Sequence, residues 1–425
     1  MRFAVEHINV KNEDPSAEYL SLMANKGVLP YAEKGDVGNK APEDLTRCKL
    51  VTRGDFVINS MNYQIGSYGR SDYSGVCSSV YIVLRSLKNR VDPRFIHRVL
   101  QIPAFQKHAQ TFGNGILEHR KSISWDSLKN HPVPVPSLEV QRSIANYLDR
   151  ETAETDAFIA DQEELIELLS ERRTATITRA VTKGLDPNVP MNDSEVEWFG
   201  LLPSNWEFVP IKRNISYLTS GSRDWASFYT DQGVPFIRIG NLTRGHLNLD
   251  MQDTQYVSIP EKTEGQRSRL RKDDVLFSIT AYLGSVAVVD DENAGSYISQ
   301  HVAMVRPLPD KLNSRFLGYC VLSDWGQRQL SEQAYGGTKI QISLGDIKNF
   351  KCTIPPRREQ DAIVTYLDIE TAEFDAAIAD AREAIALSKE RRAAVISAAV
   401  TGKIDVRGLI DPGTIGVEGA SVGAA

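Results

Sequence analysis

The sequence predicts an α+β protein in which two mixed α/β modules alternate with two long helices that zip into a coiled coil. Three observations predict it. Residues 136–186 and 355–405 align at a constant offset of 219 without a gap, and about half of their positions are identical. Each copy then runs for more than 40 residues without proline or glycine. The stretches that remain, 1–135 and 187–354, resemble each other more faintly and carry β-branched runs between polar, aromatic and glycine-containing loops.

The first module, residues 1–135, shows strand-like runs at Val57-Ile58 and from Val80 to Leu84. Its segment GDFVINSMNYQIGS matches DDVLFSITAYLGS of the second module, residues 187–354, with one gap. The second module's runs are Val275 to Ile279 and Val286 to Val289. Ser78 and Arg85 fall opposite Ser299 and Arg306, and Arg94-Phe95 opens an amphipathic helix as Arg315-Phe316 does. Arg120, Ser124 and Lys129-Asn130 stand 219 residues before Lys339, Ser343 and Lys348-Asn349. One helix and a final Val/Ile-rich strand are expected to close each module.

Each repeat reads as one helix of ~60 Å at 1.5 Å per residue. Pro136 and Pro355-Pro356 precede them, where proline is tolerated, and Glu139 and Glu359 put negative charge in the first turn. Gly184 and Gly402 stand where a left-handed C-cap is expected. Ile144, Leu148, Thr155, Ile159 and Ile166 are spaced 4, 7, 4 and 7, and Ile363, Leu367, Phe374, Ile378 and Ile385 repeat that spacing. That is a heptad seam. Two matched seams in one chain most simply pair with each other, in an orientation the seam alone leaves open. The tail, 406–425, is Gly/Ala-rich from Gly408 onward and is expected to be disordered.

Chemistry is hard to find. GxGxxG after a strand, GxxxxGK[ST] and HExxH are absent, and the seven histidines are scattered. Cys48, Cys77, Cys320 and Cys352 form no CxxC pair and are expected to be reduced. No metal site and no cofactor are expected. No window approaches 18 apolar residues and no signal peptide opens the chain, so the cytoplasm is the default location, with no membrane partner.

The net charge of -6 points away from nucleic acid when taken whole. By segment it does not. Residues 1–135 carry 18 basic and 13 acidic side chains, the helix repeats sum to -5 and -3, and residues 187–354 to only -2. The net negative charge lies mainly in the helices.

The chain resembles the specificity (S) subunit of type I restriction–modification systems over nearly its whole length. The resemblance rests on PPRREQDAIVTYLDIET, on its weaker copy PSLEVQRSIANYLDRET, on the GD-type strand, and on DSEVEWFGLLPSNWEFVPIK at Asp193–Lys212. It implies two target-recognition domains, each reading one half of a split double-stranded DNA sequence. It implies an antiparallel coiled coil that sets their spacing and docks methyltransferase (modification) subunits. It further implies a non-catalytic chain, with S-adenosylmethionine, ATP and Mg bound by the methyltransferase and restriction/translocase partners.

Loop residues are the candidate readers, since base edges give specificity and phosphates give affinity. In module one these are Asn62, Tyr63, Arg70, His119, Arg120 and Lys121. In module two they are Ser220, Ser222, Arg223, Arg238, Asn241, Tyr282, Thr338, Lys339 and Gln341. Module one has no counterpart of the Asp193–Lys212 opening, so the expectation is a chain that starts late, with a first module short of a strand or helix. Three other readings stand beside this one. They are a subunit whose first module no longer reads its half-site, a coiled-coil scaffold joining two protein-binding modules, and a DNA methyltransferase with fused recognition domains. The last lacks an [ND]PP[YF] loop and room for a catalytic domain.

Overall fold

The computed structural model describes residues 1–24, 26–37, 40–113, 122–194, 196, 199–223, 225–259, 264–336 and 340–406. The chain forms two compact units. One takes Met1–Glu163 and the chain from Glu383 onward, and the other takes Glu164–Arg382. This division cuts through both long helices, Leu138–Lys183 and Arg357–Val400.

The reason lies in what the helix ends bury. In the first unit, Ile144, Tyr147 and Leu148 from the start of the first long helix share a core with Phe56, Phe95 and Leu128 of the module. Ile396, Ala399 and Val400, from the end of the second long helix, join the same core. In the second unit, Ile363, Val364 and Leu367 do this together with Ile177, Ala180 and Val181, against Phe277, Phe316 and Phe350. Each buried Leu or Ile is worth about 1.5–3 kcal/mol relative to exposure, so neither module is complete without both helix ends.

The helices pair antiparallel in each unit. Asp156 accepts from Arg392 at 2.8 and 3.2 Å in the first, and Asp375 accepts from Arg173 at 2.9 and 3.3 Å in the second. These pairs are the same two residue types exchanged through the 219-residue repeat. Of the expected seam residues, Ile144, Leu148, Ile159, Ile363, Leu367, Ile378 and Ile385 are buried, while Ile166 and Phe374 are half-buried. Gly184 and Gly402 close the helices with φ of 76° and 75°.

The modules are built on one plan. The first has a four-stranded antiparallel sheet in the order Val5–Ile8, Tyr81–Ser86, Phe56–Asn59, Tyr68–Arg70. The second repeats it as Ile215–Ser220, Val302–Pro307, Val275–Ser278, Val286–Val288. The same ion pair locks both sheets. Buried Asp55 accepts from Arg85 at 2.7 and 2.8 Å, and buried Asp274 accepts from Arg306 at 2.7 Å twice. A second junction is also duplicated. Gln141 accepts from the backbone N–H of Asp92, and Gln360 from that of Asn313, each at 2.8 Å.

Two expectations need correction. Each module has two successive helices where one was expected, Pro93–Gln101 with Pro103–Thr111 and Ser314–Leu322 with Asp324–Glu332. Among the described residues the final strand is found only in module two, where Lys351–Ile354 pairs with Glu207–Pro210. In module one that position reads Pro132-Val133-Pro134-Val135, and two prolines remove N–H groups that a ladder needs. All four cysteines are buried and free. Among the described residues no helix is long and apolar enough to cross a membrane. The expected tail lies, from residue 407, outside the described residues.

Candidate nucleic-acid interface

The sheet of each module ends in a polar cleft, and the two clefts occupy matching positions. In module two the cleft, about 820 Å³, opens where the strand Val275–Ser278 ends in Ile279-Thr280 and where Gln300-His301 lead into the strand Val302–Pro307. In module one, a cleft of about 630 Å³ opens where Phe56–Asn59 ends and where Ser78-Ser79-Val80 lead into Tyr81–Ser86. Asn59 stands at the place of Ser278, and Ser78-Ser79-Val80 at the place of Ser299-Gln300-His301.

Module two's cleft takes its other wall from Ser220, Gly221, Ser222 and Arg223, with Trp225 behind. Glycine is required in that wall, because a Cβ at Gly221 would run into the carbonyl of Ile298. The close approach buries Ser222 against Ser299 through a parallel bridge. The hydroxyls of Ser222 and Ser299 have no hydrogen-bond partner among the described residues. A buried polar group left unpaired costs about 1–3 kcal/mol, so the close approach of these two segments is made at a cost to the fold. Gln341 joins the rim because its backbone bridges Thr280 and Tyr335.

Module one's cleft is lined differently. Asn59, Asn62, Ser78 and Ser79 face Tyr19, with Lys40 and Arg47 at the edge. Burial pushes the Tyr19 phenol up, so it stays protonated and able to donate. Asp44 and Arg47 are paired at 3.2 Å.

The sequence candidates divide accordingly. Ser220, Ser222, Arg223 and Gln341 come together in one cleft, and Asn62 lies in the other. Tyr63 is fully buried and donates to the carbonyl of Leu100 at 2.9 Å, so it serves the core. Asn241 is buried as well, accepting from the Arg238 N–H and donating to the Asp250 carbonyl. The Arg238 guanidinium donates to Asp253 at 3.0 Å. These three are fold residues; for Arg238 and Asn241 the cause is a short 3₁₀ turn at Ile239–Asn241 that places them inside their own loop. Tyr282 is exposed beside the cleft.

Arg70 does not line the cleft that holds Asn62. Its strand runs antiparallel, so it pairs opposite Phe56, at the far end of the sheet from Asn59. There it lines a separate cleft of about 600 Å³ with Lys26, His97, Lys389 and Arg392. His119, Arg120, Lys121, Thr338 and Lys339 lie outside the described residues. The clefts are also lined by Tyr19, Ser79, Trp225, Gln300 and His301, which the sequence reading did not single out. The match of Ser78 to Ser299 pointed at the two loops, but loops were chosen there by glycine content and charge.

Comparison with known proteins follows the same division. The family model described as "Type I restriction modification DNA specificity domain" matches twice, over residues 8–168 and 203–381. The MjaVIII type I restriction enzyme specificity subunit of Methanocaldococcus jannaschii is 23% identical over 339 residues, covering 79% of this chain and 76% of its own. The putative MjaX specificity subunit of the same organism is 23% identical over 387 residues, covering 89% and 85%. A chain from a structure described as the basis of complex assembly and conformational transition of the type I R-M system superposes with a TM-score of 0.69 at 18% identity. That match covers 94% of this chain and 98% of the other, and it carries the fold.

Proposed function

Because the chain belongs to the type I restriction–modification DNA specificity family, we propose that its two modules read the two halves of a split duplex target, one through each cleft. The observation that carries this reading is the pair of clefts at one position of a duplicated sheet, with different polar linings. In module two the readers are Ser220, Ser222, Arg223, Gln300, His301 and Gln341. In module one they are Asn59, Asn62, Ser78, Ser79 and Tyr19. Amide and hydroxyl side chains can donate to or accept from base edges, and a good bidentate pair discriminates by about 1–3 kcal/mol.

The paired helices act as a spacer of fixed length and as the dock for methyltransferase subunits, with restriction/translocase subunits beyond them. The chain catalyses nothing itself. S-adenosylmethionine, ATP and Mg belong to those partners. The scaffold and the fused methyltransferase have no observation in their favour.

The test is the methylation pattern set by the full chain expressed with its neighbouring methyltransferase and read by methylation-aware sequencing. Gln300→Ala with Gln341→Ala should relax one half of a bipartite motif by roughly 10–100-fold in preference. The other half should be untouched. A motif that is not split, or one that both substitutions leave intact, overturns the assignment.

A further inference from the structure

Module two sums to nearly zero charge, yet one strip of it is strongly cationic. The run Arg267-Ser268-Arg269-Leu270-Arg271-Lys272 alternates in burial, with Ser268 and Leu270 inside and Arg267, Arg269, Arg271 and Lys272 exposed. The inward residues are pinned. Ser268 donates to the Gly265 carbonyl at 2.9 Å, and the Leu270 N–H donates to the Ser296 carbonyl at 2.8 Å. The outward arginines line a groove of about 930 Å³ whose other wall holds Tyr217 and Gly295.

Other cations at this groove are already used. Lys272 pairs with Asp291 at 2.6 Å, and Arg306 is held by Asp274. Arg267, Arg269 and Arg271 have no carboxylate partner among the described residues. Three like charges on one face repel, and the fold gains nothing from them. Arg267 also lines the cleft that holds Ser222 and Gln341, so groove and cleft adjoin at this residue.

Module one lacks the strip. The backbone of Thr52 donates to Asp55 at 2.8 Å as that of Arg271 donates to Asp274 at 2.7 Å, which fixes the correspondence of the two segments. Cys48, Leu50 and Thr52 stand where module two has its three arginines.

We propose that Arg267, Arg269 and Arg271 form a phosphate-binding subsite that holds the sugar–phosphate backbone of the duplex beside the half-site read by module two. This rests on the DNA-reading role proposed above and adds a division of labour. Module two supplies a sequence-independent, salt-sensitive share of affinity at this place, where the aligned segment of module one has Cys48, Leu50 and Thr52.

The test uses the full chain, a target duplex and a random duplex of equal length, titrated across salt concentration. Removing one arginine that neutralises a phosphate should lower the slope of log K against log salt by about 0.9. R267A/R269A/R271A should therefore flatten the slope by about 2–3, and weaken both duplexes by the same factor at low salt. R267K/R269K/R271K should keep most of the slope, and Arg269→Ala alone should flatten it by about 1. An unchanged slope in the triple alanine variant, or a weakening confined to the target duplex, overturns the subsite alone. Failure of the unaltered chain to bind any duplex overturns the DNA-reading role and the subsite together.

Discussion

The two modules share a framework and differ at its margins. Both have the same strand order, the same Asp–Arg lock at the root of the sheet, and the same Gln side chain clamping the first short helix to a long one. They differ in the cleft, in the cationic strip, and in how tightly the lock is sealed. The Arg306 side chain is 20% exposed and Arg85 is 43% exposed. Buried, hydrogen-bonded polar contacts have thus been kept in both copies, while the rims that meet solvent have diverged. Such a division lets one scaffold present two different reading surfaces.

The lock gives the sharpest way to break the comparison. Asp274→Ala leaves Arg306 charged and mostly buried, and should destabilise the second unit by about 3–5 kcal/mol. Asp55→Ala should cost the first unit less, about 1–3 kcal/mol, because water reaches Arg85. Hydrogen exchange resolved to the two sheets would measure both, and equal losses would deny that burial grades the lock.

Acid should separate the units next. His97 of the first unit has its pKa pushed down to about 4 by burial, then by the neighbouring charges of Arg98, Arg70 and Arg392. Unfolded histidine titrates near 6.5, so between those values the unfolded chain binds a proton that the folded unit refuses. This stabilisation is whole above about pH 6.5 and fades as pH falls toward 4, by up to ~3 kcal/mol. Gly318 stands at the equivalent place in module two and packs under Leu247, with nothing to titrate. His97→Gln should flatten the acid limb of the first unit's denaturation curve and leave the second unit's alone. A variant limb as steep as the parent's would assign the acid sensitivity elsewhere.

The smallest contrast lies in the paired helices. Arg173 is 9% exposed and Arg392 is 26% exposed, though each makes the same two-pronged contact. Arg173→Ala should cost about 1–2 kcal/mol and Arg392→Ala less than about 1 kcal/mol. Urea midpoints of the two variants, at constant m-value, would rank them.

Much of this architecture was legible in the sequence because the chain states it twice. The gapless repeat predicted both long helices to within a few residues, including their glycine caps. The strands Phe56–Asn59 and Val275–Ser278 emerged from aligning one module on the other. Antiparallel pairing was not legible from the seam, since Ile144 and Ile363 satisfy either direction; the crossed Asp156–Arg392 and Arg173–Asp375 contacts decide it. The candidate readers were only partly legible. Composition marks Tyr63 and Asn241 as loop residues, but local turns fold both inward. Arg70 required the strand register, because an antiparallel neighbour puts it at the opposite end of the sheet. Whole-module charge hid the arginine strip, whereas the alternation in RSRLRK announces it.

The borrowed helix ends also set an order of events. Residues 164–382 are contiguous, so the second unit has all of its chain once Arg382 has been made. The first unit needs Ile396, Ala399 and Val400, more than 240 residues after Leu148 in the same core. At synthesis rates of about 5–20 residues per second, the earlier module emerges first and then waits roughly 10–50 seconds for its last wall. During that interval the core that holds Ile144, Tyr147 and Leu148 lacks its contribution from the second long helix. The module made first is therefore the module finished last.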